Sequence, residues 1–316
     1  MLRKSELRVS VDNWKLATPV ALIIFNRPDV TERVFAEIAR AKPPKLLVIG
    51  DGPRTNRAGE ADRVAATRKI IDRVDWNCEV LTLYSDINLG CKQRVSSGLD
   101  WVFEQVEEAI ILEDDCLPHP AFFRFCEELL ARYRQDQRIG MISGDNFQFG
   151  YRINEDSYYY SRYTHIWGWA TWRDRWKSDF DVEMKGWPRI RDEGRIADWF
   201  HSPAEAKRWA GDFEQVYQGK LDSWAYPWFF SSLLHGRLSV MPNVNLISNI
   251  GFGHEATRTT GGGALANMLV EEMRFPMGHP EGMFVSQTLD RRYYKRFYAP
   301  SLFGRLKTKL FQWVRG

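Results

Sequence analysis

The chain has 316 residues, 44% hydrophobic and 27% charged, enough apolar material for one large domain or two tightly joined halves. Its 44 Lys and Arg against 41 Asp and Glu leave a formal charge of only +3, which argues against a polyanionic partner, so no nucleic acid is expected. Cys78, Cys91, Cys116 and Cys126 form no CxxC pair, the N-terminal MLRKSELRVSVDNWK lacks a signal-like apolar stretch, and no run reaches the ~20 apolar residues of a membrane span; a reduced cytoplasmic chain is expected.

From Pro19 to Asp115, short apolar runs alternate with longer amphipathic ones. The runs PVALIIF (Pro19 to Phe25), KLLVIG (Lys45 to Gly50), CEVLTLY (Cys78 to Tyr84) and AIILE (Ala109 to Glu113) predict four strands with helices between them, the rhythm of a parallel sheet. After Pro28, Asp29 and Glu32 have the spacing of a capping box for the first helix. The strands run into FNRPD, GDGPR, SDINLG and EDDCLP. Each is turn chemistry when taken alone, but open α/β sheets bind ligands beyond the carboxyl ends of their strands, where all four would meet.

Further on, a helix is expected over Ala121 to Arg134 and a strand over Ile139 to Ser143. An aromatic segment follows, with Tyr158, Tyr159, Tyr160, Tyr163, Trp167, Trp169, Trp172 and Trp176; its rings are either core or a platform for sugar rings. Helices over Ala204 to Tyr217 and Tyr226 to His235 precede a strand pair, LSVMP and VNLIS. The loop GFGHEATRTTGGGALAN, with Gly261, Gly262 and Gly263 in a row, is a lid candidate or a solvated surface loop. From Arg291 to Gly316 no acid interrupts eight Lys and Arg, and Phe303, Leu306, Leu310, Phe311, Trp313 and Val314 recur at roughly helical spacing. This tail is either a cationic amphipathic helix for the inner membrane face or a helix docked on its own domain.

The chemistry is expected at AIILEDDCLP, a buried-type strand ending in Glu113, Asp114 and Asp115 and broken by Pro118 and Pro120. A diphosphate leaves readily only when its growing charge is neutralised, and a divalent cation on one or two carboxylates does this as a Lewis acid. The rival is an acidic turn that complements the next helix dipole. GxxxxGK[ST], the dinucleotide fingerprint, HExxH and GxSxG are all missing, which excludes a P-loop enzyme, a zincin and a hydrolase elbow at motif level.

VEEAIILEDDCLPHPAFFRFCEELLARY resembles the acidic-motif segment of the N-acetylglucosaminyltransferase I-like GT-A enzymes. NLG (Asn88 to Gly90), WGWATW (Trp167 to Trp172) and NVNLISNIGFG (Asn243 to Gly253) resemble bacterial glycosyltransferases of that fold. The resemblance spans roughly Pro19 to Gly253 and implies an α/β GT-A fold: a Rossmann-like, mostly parallel sheet flanked by helices, with a smaller mixed acceptor-side subdomain. It divides the chain into a donor half (1–118), an acceptor half with the lid (119–290) and the basic tail (291–316). It implies transfer of a hexosyl or N-acetylhexosaminyl group from a nucleotide-diphosphate sugar to a glycan or glycolipid hydroxyl, with Mn²⁺ or Mg²⁺.

Position by position, the resemblance makes Asp115 the metal ligand and gives Glu113 and Asp114 the ribose and donor sugar. Asp51 would read the base, Asn26 and Arg27 would line the nucleotide pocket, and Arg94 would offset diphosphate charge unless it is a surface arginine. Asp222, in LDSWAYPW, matches the base-bearing Trp-Asp-Asp-Trp element for inverting transfer, although Leu221 and Ser223 depart from it. Its alternative is an N-cap of the following helix, and Asp145 in SGDN is the reserve base. His254 or Arg258 would reach the phosphates when the lid closes, or are ordinary loop residues. Two rivals remain: a nucleotidyltransferase, which would need a basic Gly-rich first loop that FNRPD is not, and a non-catalytic sugar-binding protein.

Overall fold

Val20 to Ile24, Leu46 to Ile49 and Ala109 to Leu112 are buried at every position. Such continuous apolar runs belong to strands covered on both faces. The computed structural model describes residues 14–252 and 264–299. Its first part is β1 (Val20–Ile24), α1 (Pro28–Ala41), β2 (Lys45–Gly50), α2 (Glu60–Lys69), β3 (Glu79–Tyr84), α3 (Gly90–Gln105) and β4 (Glu108–Glu113), the alternation expected from the sequence. There follow β5 (Cys116–Pro118), α4 (Ala121–Tyr133), β6 (Ile139–Ser143), β7 (Tyr158–Ser161), β8 (Trp169–Trp172), α5 (Arg173–Asp179) and α6 (Trp187–Asp192). The chain continues through α7 (Pro203–Tyr217), α8 (Ala225–Leu234), β9 (Leu238–Pro242), β10 (Ile247–Asn249) and α9 (Gln287–Phe297).

Eight strands form one mostly parallel sheet in the order β3-β2-β1-β4-β8-β6-β9-β7. The first four are mutually parallel, β8 runs antiparallel between β4 and β6, β9 is parallel to β6, and β7 closes the far edge antiparallel. The chain leaves β1 outward through β2 and β3, then returns to β4 on the other side of β1. Strand order therefore reverses between β1 and β4, and a crevice opens beyond their carboxyl ends, as open α/β sheets provide at such a point. β5 and β10 form a separate antiparallel pair that covers this end of β4.

Two expectations need correction, and a third that was left open is decided. Asp29 does not cap α1: the helix begins at Pro28, whose missing N–H costs nothing there, and Arg27 precedes it with no side-chain cap. Glu32 instead pairs with Arg73 at 2.9 Å. LSVMP and VNLIS do not pair with each other, because β9 joins the large sheet whereas β10 turns back onto β5. Most of the aromatic segment is core rather than platform. Trp169 packs on Trp224 and Trp228 with ring centroids 5.7 and 5.6 Å apart, and the Tyr133 hydroxyl bonds those of Tyr158 and Tyr160 at 2.6 and 2.7 Å. Trp167 differs from its neighbours: it is half-buried and faces the crevice.

The described part of the basic tail is α9, and it docks on its own domain through Leu289, Asp290, Tyr293 and Tyr294. Two of its cations lie over aromatic faces, Arg292 over Tyr151 and Arg296 over Phe149. The apolar residues from Phe303 onward, and the glycine run with His254 and Arg258, lie outside the described residues. Among the described residues no helix is long and apolar enough to cross a membrane.

Asp290 fastens α9 to the sheet: it accepts from Ser161 Oγ at 2.5 Å and from the Arg162 backbone N–H at 3.1 Å. Burial pushes this carboxyl up to about 7, against the pull of those donors. An aspartic acid in the unfolded chain releases its proton near pH ~4, so between about pH 4 and pH 7 the folded state binds more protons. Asp290 therefore lowers stability as pH rises through that window. We expect Asp290→Asn to gain on the wild type in urea midpoint across it; a difference that is the same at both ends contradicts the assignment.

Candidate functional site

Residues from all four strand-end loops line one cleft of about 450 Å³ at the reversal point: Arg27, Asp51 and Arg54, Asn88 and Gly90, and Glu113 to Asp115. The opposite wall comes from the second half of the chain, with Trp167, Asp222, Trp224, Asn249 and Phe252. Parallel pairing aligns Ile23 with Glu113, so the residues just beyond the two strands project side by side. Arg27 uses this register to form ion pairs with both Asp114 and Asp115, the latter at 3.0 Å.

Asp114 is buried, and its carboxyl is pushed up to about 6, chiefly by burial and then by neighbouring Asp115, with Arg27 pulling the other way. Burial opposes the charge on Arg27, but the two carboxylates more than offset this and raise its pKa above the ordinary value. Asp115 stays partly open to the cleft and also accepts weakly from Asn249 Nδ2 at 3.4 Å. NVNLISNIGFG is thereby tied to the acidic motif, and the Ile250 N–H donates to the Asp115 carbonyl at 2.9 Å. Gly251 lies so close that a Cβ there would collide with the Asp115 carboxylate and come within 2.6 Å of Arg27.

The NLG motif is organised by Asp51. Its carboxylate accepts from Gly52 N (2.9 Å), Asn88 Nδ2 (2.9 Å), Leu89 N (2.9 Å) and Gly90 N (3.1 Å). Burial nevertheless moves the Asp51 pKa upward. Gly90 turns the chain into α3 with φ +78, a value that side chains resist. The next two N–H groups of α3, Cys91 and Lys92, donate to Asp222 at 3.1 and 2.9 Å. Two aspartates distant in sequence thus satisfy the first donors of this helix, which would otherwise be orphaned. The helix that Asp222 bonds is α3, and α8, the one that follows it, has no side-chain cap.

Asn26 does not line the cleft, contrary to expectation. It is buried, and its amide donates to Glu60 at 2.8 Å, because Glu60 is itself buried and needs every available donor. Arg54 supplies the rest through its backbone N–H at 2.6 Å and its guanidinium, which holds the Glu60 carboxyl down to about 2. Arg54 was missed in the sequence although it sits in GDGPR; its side chain lines the cleft. Arg94 is not a surface arginine. It is buried beside the cleft, donates to the Leu83 carbonyl at 2.9 Å, and its Nε has no partner. Burial lowers its pKa, while Asp51 partly restores the charge.

Oxygen donors of this kind suit Mg²⁺ or Mn²⁺, which take few protein ligands and complete their shell with phosphate and water. Glu113, Asp114 and Asp115 line one wall of the cleft, where Arg27 pairs with the two aspartates. Among the described residues no cluster of three or more His, Cys, Asp or Glu forms a dedicated metal cage.

No family model matches the chain, and no curated protein matches it. Among solved structures it is similar to 4-diphosphocytidyl-2C-methyl-D-erythritol synthase from Anaerococcus prevotii DSM 20548, at 11% identity and a TM-score of 0.31, over 64% of this chain and 84% of that one. A likeness that distant carries no argument about activity.

Asp51→Ala removes the acceptor for four donors, one of them buried and the others part-buried. At ~1–3 kcal/mol for each group left unsatisfied, partly relieved by water, a loss of about 2–4 kcal/mol in urea unfolding is expected. A loss below ~1 kcal/mol would mean that the NLG loop is held by something else.

Proposed function

We propose that the cleft binds a nucleotide-diphosphate sugar and transfers the sugar, with inversion, to the hydroxyl of a glycan or glycolipid. The observation that carries this reading is the convergence of Arg27, Asp51, Arg94 and Asp115 on one crevice at the strand-order reversal. That crevice mixes fixed cations with carboxylates, which is what a diphosphate and its counter-ion need. At about 450 Å³ it falls in the usual size range of ligand sites.

In this reading the nucleoside lies toward Asp51 and Asn88, with Arg94 behind it, and the diphosphate lies toward Arg27. Glu113 and Asp114 face the ribose and donor sugar. Asp115 would hold a Mg²⁺ or Mn²⁺ ion, which when bound offsets the charge that develops on the departing diphosphate. The acceptor oxygen forms a bond to the anomeric carbon as the bond from that carbon to the phosphate oxygen breaks. The acceptor proton passes to a carboxylate on the opposite face.

Asp222 suits that last task better than Asp145. It is exposed within the cleft, whereas Asp145 is fully buried away from it and burial pushes its carboxyl well above the usual range, which disfavours the charged form. The bonds from Cys91 and Lys92 fix the orientation of Asp222 across the cleft from Asp115. Attachment to a membrane surface through the basic residues beyond α9 is part of the same proposal for a lipid-borne acceptor.

The test is a nucleotide-sugar panel with Mn²⁺, read as nucleoside diphosphate released in the presence of acceptor glycans. Asp222→Asn should keep donor affinity and melting temperature near wild type and lose about 10²-fold or more in turnover. Release of inorganic pyrophosphate instead of nucleoside diphosphate refutes sugar transfer. Near-normal turnover in the variant removes Asp222 from the base role.

A further inference from the structure

Beside the nucleotide cleft lies a second pocket of about 230 Å³, and Ile166, Trp167 and Ala225 line both. Its walls are aromatic: Phe147, Tyr163, Trp209, Phe229 and Tyr293. Trp209 and Phe229 meet edge to face at 4.8 Å, and Tyr163 stands edge-on to Tyr293 at 4.8 Å. Among its polar side chains Thr164 is half-buried, and Asp145 and His165 are buried, at 0% and 4% exposure.

Both are under-satisfied. Asp145 accepts from the Trp167 N–H at 2.9 Å through Oδ2, but Oδ1 has no partner. His165 lies between Phe147 and Tyr293, with ring centroids 4.5 Å from each, and neither of its nitrogens has a partner. A buried polar group without a partner costs roughly 1–3 kcal/mol, so a fold keeps several in one apolar pocket only at a penalty. A bound ring that carries hydroxyls would remove that penalty.

Burial pushes the His165 imidazole down to about 3 and the Asp145 carboxyl well above the usual range, and Asp145 has no cation beside it, so burial disfavours charge on both groups. The pocket therefore offers neutral donors and acceptors beside aromatic faces. An anionic or cationic ring would enter it without a counter-charge, which is costly.

We propose that this pocket holds one uncharged, hydroxyl-bearing ring, a single monosaccharide unit, hydrogen-bonded by His165 and Asp145 and packed on the aromatic walls. The inference rests on the sugar-transfer reading and narrows its substrate class to neutral rings at this position. The ring belongs either to the acceptor or to the donor sugar, since Trp167 borders both cavities. Neither Asp145 in this role nor His165 touches the nucleotide end of the cleft.

Methyl glycosides of glucose, galactose, mannose and N-acetylglucosamine serve as neutral probes, with glucuronate and glucosamine as charged counterparts, in saturation-transfer NMR and calorimetry. At least one neutral probe should bind, and the charged analogues at least about tenfold more weakly. His165→Phe should lose about tenfold or more in ring affinity, leave nucleoside-diphosphate affinity within about twofold, and melt at or above the wild-type temperature, because it deletes two unsatisfied nitrogens. Asp145→Asn, which keeps a neutral acceptor and donor, should bind rings within about threefold of wild type; Asp145→Leu should not.

The source of the ring follows from the same variants. If His165→Phe weakens a nucleotide sugar but not the bare nucleoside diphosphate, the ring is the donor's; if it raises the acceptor KM alone, the ring is the acceptor's. The inference is overturned if charged and neutral rings bind equally, if His165→Phe binds rings as the wild type does, or if a protein that binds nucleoside diphosphate binds no neutral ring. A protein that binds neither nucleotide nor ring overturns the transfer reading itself.

Discussion

The architecture depends on one buried charge arrangement, in which the Arg27 guanidinium is shared between the carboxylates of Asp114 and Asp115. Without it, β4 would end in adjacent acids, one of them buried, and the desolvation cost would disfavour the turn that presents them. Parallel registry of β1 with β4 supplies the cation from the neighbouring strand end, and β10 seals the other side through Asn249 and Gly251. Removing Arg27 would leave an uncompensated buried charge at Asp114.

The same economy of charge recurs at α3. A helix N-terminus beside a cleft is an anion site by default, yet here two carboxylates already occupy it. Asp51 shapes the NLG loop on one wall of the cleft, and Asp222 crosses from the second half of the chain to bond the same helix. The two halves expected on either side of residue 118 are therefore joined both by this bridge and by a sheet that continues through β4 and β8. The aromatic segment stiffens that junction: Trp169 on β8 packs against Trp224 and Trp228 at the start of α8, directly after Asp222.

The strands and helices up to Asp115 were legible because a doubly covered sheet demands continuous apolar runs, and the loops after them were legible as ligand-type chemistry. Side-chain direction was not. Asn26 and Arg27 are adjacent in FNRPD, yet one turns into the domain toward Glu60 and the other into the cleft, a choice made by a buried glutamate 34 positions away. VNLIS has ordinary strand composition, and its partner, the three-residue β5 after the acidic motif, is too short to leave a periodic signal. His165 escaped notice because a lone histidine among aromatics reads as core, and only its two unpartnered nitrogens set it apart.

The claim that Asp115 serves a diphosphate and its counter-ion is tested most directly by calorimetric titration of nucleoside diphosphates into the wild type and Asp115→Asn, each with Mn²⁺ and with excess chelator. At least about tenfold tighter binding with Mn²⁺ is expected for the wild type, and that gain should vanish in the variant. Equal affinity in chelator, or an undiminished Mn²⁺ gain in Asp115→Asn, would contradict the account.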